Sequence, residues 1–164
     1  PDTMDSIERY FWFIGGAFAM LNVVIWRSRL RPVVALGRVT QQEADAFLRG
    51  AAISIAVAAA TLGVIELSFS VNLRCVRPFV FTEPASAATS AAILGMWVAL
   101  LRWVWGRGGE FIAKAPSVFI TPASPETEYE PSTVRFVVTA LVVVGAVGAF
   151  VVGSGMPPSP GCAG

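Results

Sequence analysis

Four long apolar segments dominate this chain of 164 residues. A helix needs about 20 mostly apolar residues to cross the hydrocarbon core of a bilayer, whereas a helix of a soluble domain shows only an apolar stripe. Charged residues make up only 14% of the chain, and the apolar residues are gathered into continuous runs. The sequence therefore predicts an all-α integral membrane protein, with 1–164 as a single domain containing a bundle of about four transmembrane helices. The predicted spans are 8–26, 50–69, 85–105 and 133–153.

Local signals predict where these helices begin and end. Pro32 follows an arginine cluster and disfavours continuation of the first helix. Thr40 and Glu43 match a capping box, so the second helix is expected to begin there and to run unbroken into its span. The glycines of 106–109 predict the end of the third helix. The proline-rich segment 110–132 shows no pattern from which a core could form, and we expect a loop.

The placement of arginine and lysine predicts the orientation in the membrane, because these residues concentrate on the cytoplasmic side. Nine of the twelve basic residues lie in or beside two predicted loops, 27–49 and 106–132, and three lie on the other side. Those loops are therefore expected in the cytoplasm, with both termini extracytoplasmic. The acidic start predicts no cleavable signal peptide. Arginine in place of lysine and abundant alanine favour a GC-rich genome, and we expect the bacterial cytoplasmic (inner) membrane.

The two cysteines fall on the same predicted side of the membrane. Cys75 lies in the loop between the second and third spans, and Cys162 lies in the tail after the fourth. Disulfides persist on the oxidising, extracytoplasmic side. A Cys75–Cys162 bridge is therefore a candidate, and two unrelated thiols are the alternative.

Three polar residues within the spans are candidates for chemistry, because polar groups are costly inside a membrane. Glu66 lies near the outer end of span two, where an ion pair with an arginine competes with a role in proton or ion handling. Asn22 lies in the inner half of span one, where it could bond to a neighbouring helix or line a polar path. Arg102 lies close enough to Trp105 for its side chain to reach the cytoplasmic interface.

Small residues recur every four positions along the spans, a spacing that lets helix backbones approach closely in lipid. The pattern predicts helix-packing faces within the chain or against lateral partners. In span one, Gly15 and Ala19 give a short version of it. The longer faces are Ala52, Ala56 and Ala60 in span two, Ala91, Gly95 and Ala99 in span three, and Gly145, Ala149 and Gly153 in span four.

Other residue patterns argue against several classes of function. The chain has no histidine, which removes the most common general base and the most common metal ligand. The net charge of +1 gives no basic field for nucleic acid. Two cysteines without histidine are too few for a structural zinc site, which takes four ligands. We therefore expect no enzyme, no metal, no cofactor and no nucleic-acid partner.

The leading functional hypothesis is a non-catalytic accessory or structural subunit of a larger membrane complex. Its expected partners are the lipid bilayer and other membrane subunits, or further copies of the chain. The alternative hypothesis is a small transporter or channel component, with Glu66 and Asn22 lining a polar path. A membrane-bound enzyme is a third hypothesis, and it would have to work with a lone intramembrane acid.

Overall fold

The fold is all-helical, as the sequence predicts. The computed structural model describes residues 11–71, 76–77, 79, 81, 83–119 and 124–155, with the backbone alone at 11 and 152–155. Every regular element in these ranges is a helix or a helical turn, and none is a strand. The elements are α1 (Phe11–Ala35), α2 (Gln41–Phe69), α3 (Pro84–Trp103), a π-helical turn (Val104–Gly108), α4 (Gly109–Lys114), a 3-10 turn (Pro116–Val118) and α5 (Pro131–Gly155).

Three helical segments in the described part of the chain are long and apolar enough to cross a membrane. They are α2, the stretch from α3 through α4, and α5 over Pro131–Val151. Many of their apolar side chains face outward, and valine and phenylalanine dominate the exposed surface of α5. A helix satisfies its backbone hydrogen bonds internally, so such a surface suits a hydrocarbon solvent. The described part of α1 is not among the three.

The prediction that Pro32 ends the first helix is wrong. Pro32 lies inside α1, which continues to Ala35. The turn that follows Ala35 terminates the helix at its C-cap, where Gly37 has a φ of +71° and its amide donates to the carbonyl of Val34 at 2.9 Å. A 3.3 Å bond from the Arg38 amide to the Val33 carbonyl completes a Schellman motif. Burial of Val33 explains why the helix tolerates the proline, since the residues around it pack into a core.

The capping box at the start of α2 is confirmed. The hydroxyl of Thr40 accepts a bond from the Glu43 amide at 3.2 Å, and the Glu43 carboxylate accepts from the Thr40 amide at 2.8 Å. From Gln41 the helix runs without a break to Phe69, as predicted. Its first turns therefore form a polar extension of the apolar segment.

The predicted helix stop at the glycines of 106–109 is confirmed as a break in the helix. α3 ends at Trp103, and the backbone of Gly106 is not helical, with φ −83° and ψ −127°, so the chain is kinked there. Helical structure resumes after the kink as α4 to Lys114, which the sequence did not predict. These glycines allow close approaches. A Cβ at Gly108 would lie 2.4 Å from Cδ2 of Trp103, and one at Gly109 would lie 2.5 Å from the carbonyl oxygen of Val104. The tryptophan ring and a backbone carbonyl therefore occupy space that any other residue would need.

The segment predicted as a loop without a core contributes to the main buried cluster. Ala115 and Val118 are fully buried there against Leu30 and Val33 of α1 and Ala44 of α2. The Tyr129 amide also donates to the carbonyl of Ala113 at 3.0 Å, and this bond holds the returning segment of the loop against α4. Short apolar side chains on either side of Pro116 therefore close one end of the bundle, a contribution that periodicity alone does not reveal.

The helices are packed unevenly. The α1–α2 contact is the most extensive in the described part of the chain, and α2 also packs on α3. Buried residues make up 17% of the most apolar stretch of α2, 22% of the α3–α4 stretch and only 6% of that of α5. Most of the apolar surface of α5 is therefore not buried against the rest of the described chain.

Candidate interaction surfaces and polar sites

The predicted small-residue faces of α3 and α5 are largely open. A Cβ built at Gly95 or at Gly145 would meet no atom within 4 Å. Ala91 and Ala99 are exposed, and Ala149 is half-buried. Gly148, beside the predicted face of α5, is equally open. Gly153 lies in the last turn of α5, where only the backbone is described. The described chain therefore leaves most of these two faces uncovered.

Close packing of α1 on α2 uses residues beside the predicted ones. A Cβ at Gly16 would lie 2.9 Å from Cβ of Ala59, and one at Gly63 would lie 3.0 Å from the Trp12 ring. Gly15, by contrast, faces open space. The contact lies one position away from the predicted faces on both helices, at Gly16 beside Gly15 on α1 and at Ala59 beside Ala60 on α2.

An apolar cleft lies between α1 and α2 on their outer surface. Its volume is about 300 Å³, and none of its lining residues is charged or strongly polar. Neither Glu66 nor Asn22 lines it. It offers contacts to an apolar chain and no group for chemistry. The lining residues are Phe13, Gly16, Ala17, Met20, Ile55, Ala56 and Ala59.

Glu66 and Asn22 are in different environments. Glu66 lies in the last turns of α2 and is only 6% exposed. Its backbone carbonyl accepts bonds from the amides of Ser70 and Val71, which end the helix. Asn22 is exposed on α1 and donates to the carbonyl of Phe18 in its own helix at 3.2 Å. Asn22 therefore satisfies its amide locally, and nothing in its contacts joins it to Glu66.

A buried polar group lies at the start of α3. Ser86, Thr89 and Ser90 are all buried. The Ser90 hydroxyl donates to the Ser86 carbonyl at 2.6 Å and accepts a bond from the Phe79 amide at 2.7 Å. Thr89 likewise donates to a carbonyl one turn earlier. The Ser90 hydroxyl therefore holds the segment before α3 against the helix, a role that the sequence analysis missed and that the repeated serine and threonine could have signalled.

The arginine-rich end of the bundle, formed by the α1–α2 connection, the π-helical turn, α4 and the 3-10 turn, is closed by an aromatic cluster. Phe47 is its centre, because its ring lies 5.7 Å from the Trp26 ring, 5.9 Å from that of Trp103 and 4.6 Å from that of Phe111. Phe119 completes it from the 3-10 turn at 5.5 Å. The cluster joins α1, α2, α3 and α4 at one level.

Ion pairs at the same end hold the connecting segment and α5. Arg38 lies 3.1 Å from a carboxylate oxygen of Glu128, and Arg135 lies 3.6 Å from Glu110. Both pairs are partly exposed, so each contributes little to stability by itself. Trp105 adds a direct link to α5, since its indole donates to the Thr139 hydroxyl at 3.0 Å.

Arg102 is exposed on α3, in keeping with a side chain that reaches the interface. The two cysteines of the candidate disulfide, Cys75 and Cys162, lie outside the described residues. Within the described ranges, no three acidic side chains are close enough to hold a metal ion. Comparisons with protein-family models, with curated proteins and with solved structures find no match for this chain.

Proposed function

We propose that this chain is a non-catalytic accessory or structural subunit of a larger membrane complex. The observation that carries the proposal is the open space along the small-residue faces of α3 and α5, at Gly95 and Gly145. Helices in lipid associate through close backbone approach, because lipid and side chains are equally apolar. The described chain leaves these two faces uncovered. They can therefore pack against helices of other subunits.

The position of α5 supports the same proposal. Its polar links to the rest of the chain lie at the arginine-rich end, through Arg135 and Thr139, and Phe150 near its other end contacts the ring of Phe79 at 6.3 Å. Between these contacts its apolar length buries very little surface. A helix held near both ends and open between them can accept a partner helix without disturbing the pair formed by α1 and α2.

Co-purification of the full chain from membranes in a mild detergent tests this proposal. We expect a defined set of membrane chains, or further copies of this one, in fixed proportion. Gly95→Leu with Gly145→Leu should remove that set, because the added side chains fill the proposed contact at positions where a Cβ meets no atom within 4 Å in the described chain. Val143→Leu is the matched control, since it adds bulk at an exposed position on the opposite side of α5.

Two results would count against the subunit proposal. The first is a chain that purifies alone as a stable monomer. The second is a partner set that survives the double glycine substitution as fully as it survives Val143→Leu. Mass spectrometry of the purified material, together with its size in solution, distinguishes these results from association with identical copies.

The proposed setting is the bacterial cytoplasmic membrane, with α1 as a fourth crossing and both termini outside. Support comes from the basic residues, which concentrate at the arginine-rich end. This orientation exposes Cys75 and Cys162 to the same oxidising compartment, so we propose a disulfide between them. Alkylation of the unreduced protein should then leave both thiols unlabelled, and labelling of both would exclude the bridge.

A transporter or channel component remains the second candidate, and the burial of Glu66 favours it. A buried carboxylate in a spanning helix is a typical carrier of protons or cations. If this alternative is correct, purified protein in sealed vesicles should carry protons or cations across the membrane, and Glu66→Gln should abolish that flux. Flux that is absent, or that is unchanged in Glu66→Gln, would rule out this role for Glu66.

A further inference from the structure

We propose that the arginine-rich end binds the phosphate groups of anionic phospholipids, with Arg27, Arg49 and Arg102 as the contacting residues. This inference concerns the bilayer itself and does not depend on the proposed subunit function. It rests on the positions of three arginines along the axes of three helices, on their exposure and on the distribution of acidic residues around them.

The aromatic cluster sets the height of the arginines. Trp26 of α1, Phe47 of α2 and Trp103 of α3 are in ring contact, so these three positions share one level. Arg27 and Arg102 are each one residue from a ring of the cluster, and Arg49 is two residues from Phe47. With a rise of about 1.5 Å per residue, all three lie within about 3 Å of the cluster along the helix axes.

That spacing matches the layer in which lipid phosphates lie. The headgroup region of a bilayer adds roughly 5–7 Å to each side of the hydrocarbon core. The three arginines are exposed, and so is Trp105 of the π-helical turn, at 60%. Exposed tryptophan is typical of this interface, and the planar guanidinium group binds phosphate through paired hydrogen bonds.

In the described part of the chain, no acidic side chain forms an ion pair with Arg27, Arg49 or Arg102. Glu43 and Asp45 precede Arg49 by six and four residues on α2, which places them about 9 and 6 Å farther from the membrane. Glu128 and Glu110 are engaged with Arg38 and Arg135. The charge is therefore layered, with cations at the lipid headgroups and acids beyond them, and Arg31, Arg107 and Lys114 add exposed positive charge nearby.

Native mass spectrometry of the full chain in a neutral detergent tests the proposal. The protein is titrated with short-chain phosphatidylglycerol and, separately, with phosphatidylcholine of the same chain length. We expect the wild type to bind phosphatidylglycerol preferentially. Each arginine near an anionic surface contributes about fivefold to binding, so substitution of all three by glutamine should reduce the preference by roughly 100-fold.

Two further variants keep the test decisive. Arg27→Lys with Arg49→Lys and Arg102→Lys preserves the charge and should retain most of the preference, which separates lipid binding from general damage. Arg102→Gln alone, on an exposed side chain, should reduce the preference about fivefold without affecting folding. A wild type that binds both lipids equally, or a triple glutamine variant that keeps the preference, would overturn the proposal. Displacement of phosphatidylglycerol by inorganic phosphate would show a site for free phosphate instead and would also overturn it.

Discussion

At the scale of single residues, Thr40 shows how a local pattern determines a local structure. Its hydroxyl and the Glu43 carboxylate satisfy each other's backbone amides at the start of α2. We predict that Thr40→Ala lowers the free energy of unfolding by about 1 kcal/mol, because one amide of the first turn loses its acceptor. Unfolding in mixed micelles by increasing SDS measures the loss.

Thr40→Ser is the matched control, since serine supplies the same acceptor. Its stability should remain within a few tenths of a kcal/mol of the wild type. Hydrogen exchange offers a local measurement, and the amides of 41–46 should exchange faster in Thr40→Ala alone. Equal exchange in both variants would show that the hydroxyl does not stabilise the helix start.

The polar residues illustrate the limit of local reasoning at this scale. Glu66 and Asn22 are both single polar groups in apolar surroundings, and the sequence assigns them similar candidate roles. In the structure one is buried and the other is exposed with its amide bonded to its own helix. Their burial depends on which helix face meets a neighbour, and that choice is made by contacts distant in sequence.

At the scale of elements, the α1–α2 contact gives a prediction with an internal control. A Cβ at Gly16 would lie 2.9 Å from Cβ of Ala59, whereas one at Gly15 would meet nothing. Alanine favours a helix over glycine at either position by up to about 1 kcal/mol. Gly15→Ala should therefore be neutral or stabilising, while Gly16→Ala should destabilise by about 1–3 kcal/mol, because α1 must shift away from α2.

Unfolding of both variants under the same detergent conditions measures the difference. Since the two changes are chemically identical and adjacent, effects of composition and helix propensity cancel between them. Equal stabilities would mean that α1 and α2 do not meet at Gly16. A loss in Gly15→Ala alone would indicate the register predicted from the sequence instead of the observed one.

Local sequence signals predicted some helix ends correctly and failed at one of them. The start of α2 follows from four consecutive residues, and it was predicted correctly. Pro32 and the glycines of 106–109 are also strong local signals, but only the glycines mark a break. α1 continues through Pro32, whereas the backbone of Gly106 is not helical. At Pro32 packing is the competing effect, because burial of Leu30 and Val33 offsets the bond lost there.

At the scale of the whole molecule, the apolar runs predicted the fold class. They did not predict the buried cluster that closes the arginine-rich end of the bundle. The all-α architecture follows from run length, which reflects bilayer thickness more than any tertiary contact. The buried cluster at the arginine-rich end joins α1, α2 and the segment after α4. Its members are few and far apart in sequence, so no window of the chain contains the pattern that would reveal them.

The orientation of the whole chain yields the last prediction, tested by single cysteines in a chain carrying Cys75→Ser and Cys162→Ser. Intact cells are treated with a maleimide that does not cross the membrane. We expect labelling of Ser6→Cys and of Ser154→Cys, because both chain ends are predicted outside. Ala46→Cys, at an exposed position before span two, should stay unlabelled until the membrane is made permeable.

The labelling results distinguish three arrangements of the chain in the membrane. With α2, α3 and α5 crossing, the position of Ser154 is the same whether α1 crosses or not, so Ser6→Cys alone reports on α1. Labelling of Ser154→Cys with protection of Ser6→Cys would reduce the bundle to three crossings. Labelling of Ala46→Cys in intact cells would invert the orientation, placing the arginine-rich end outside and contradicting the rule that positive loops stay in the cytoplasm.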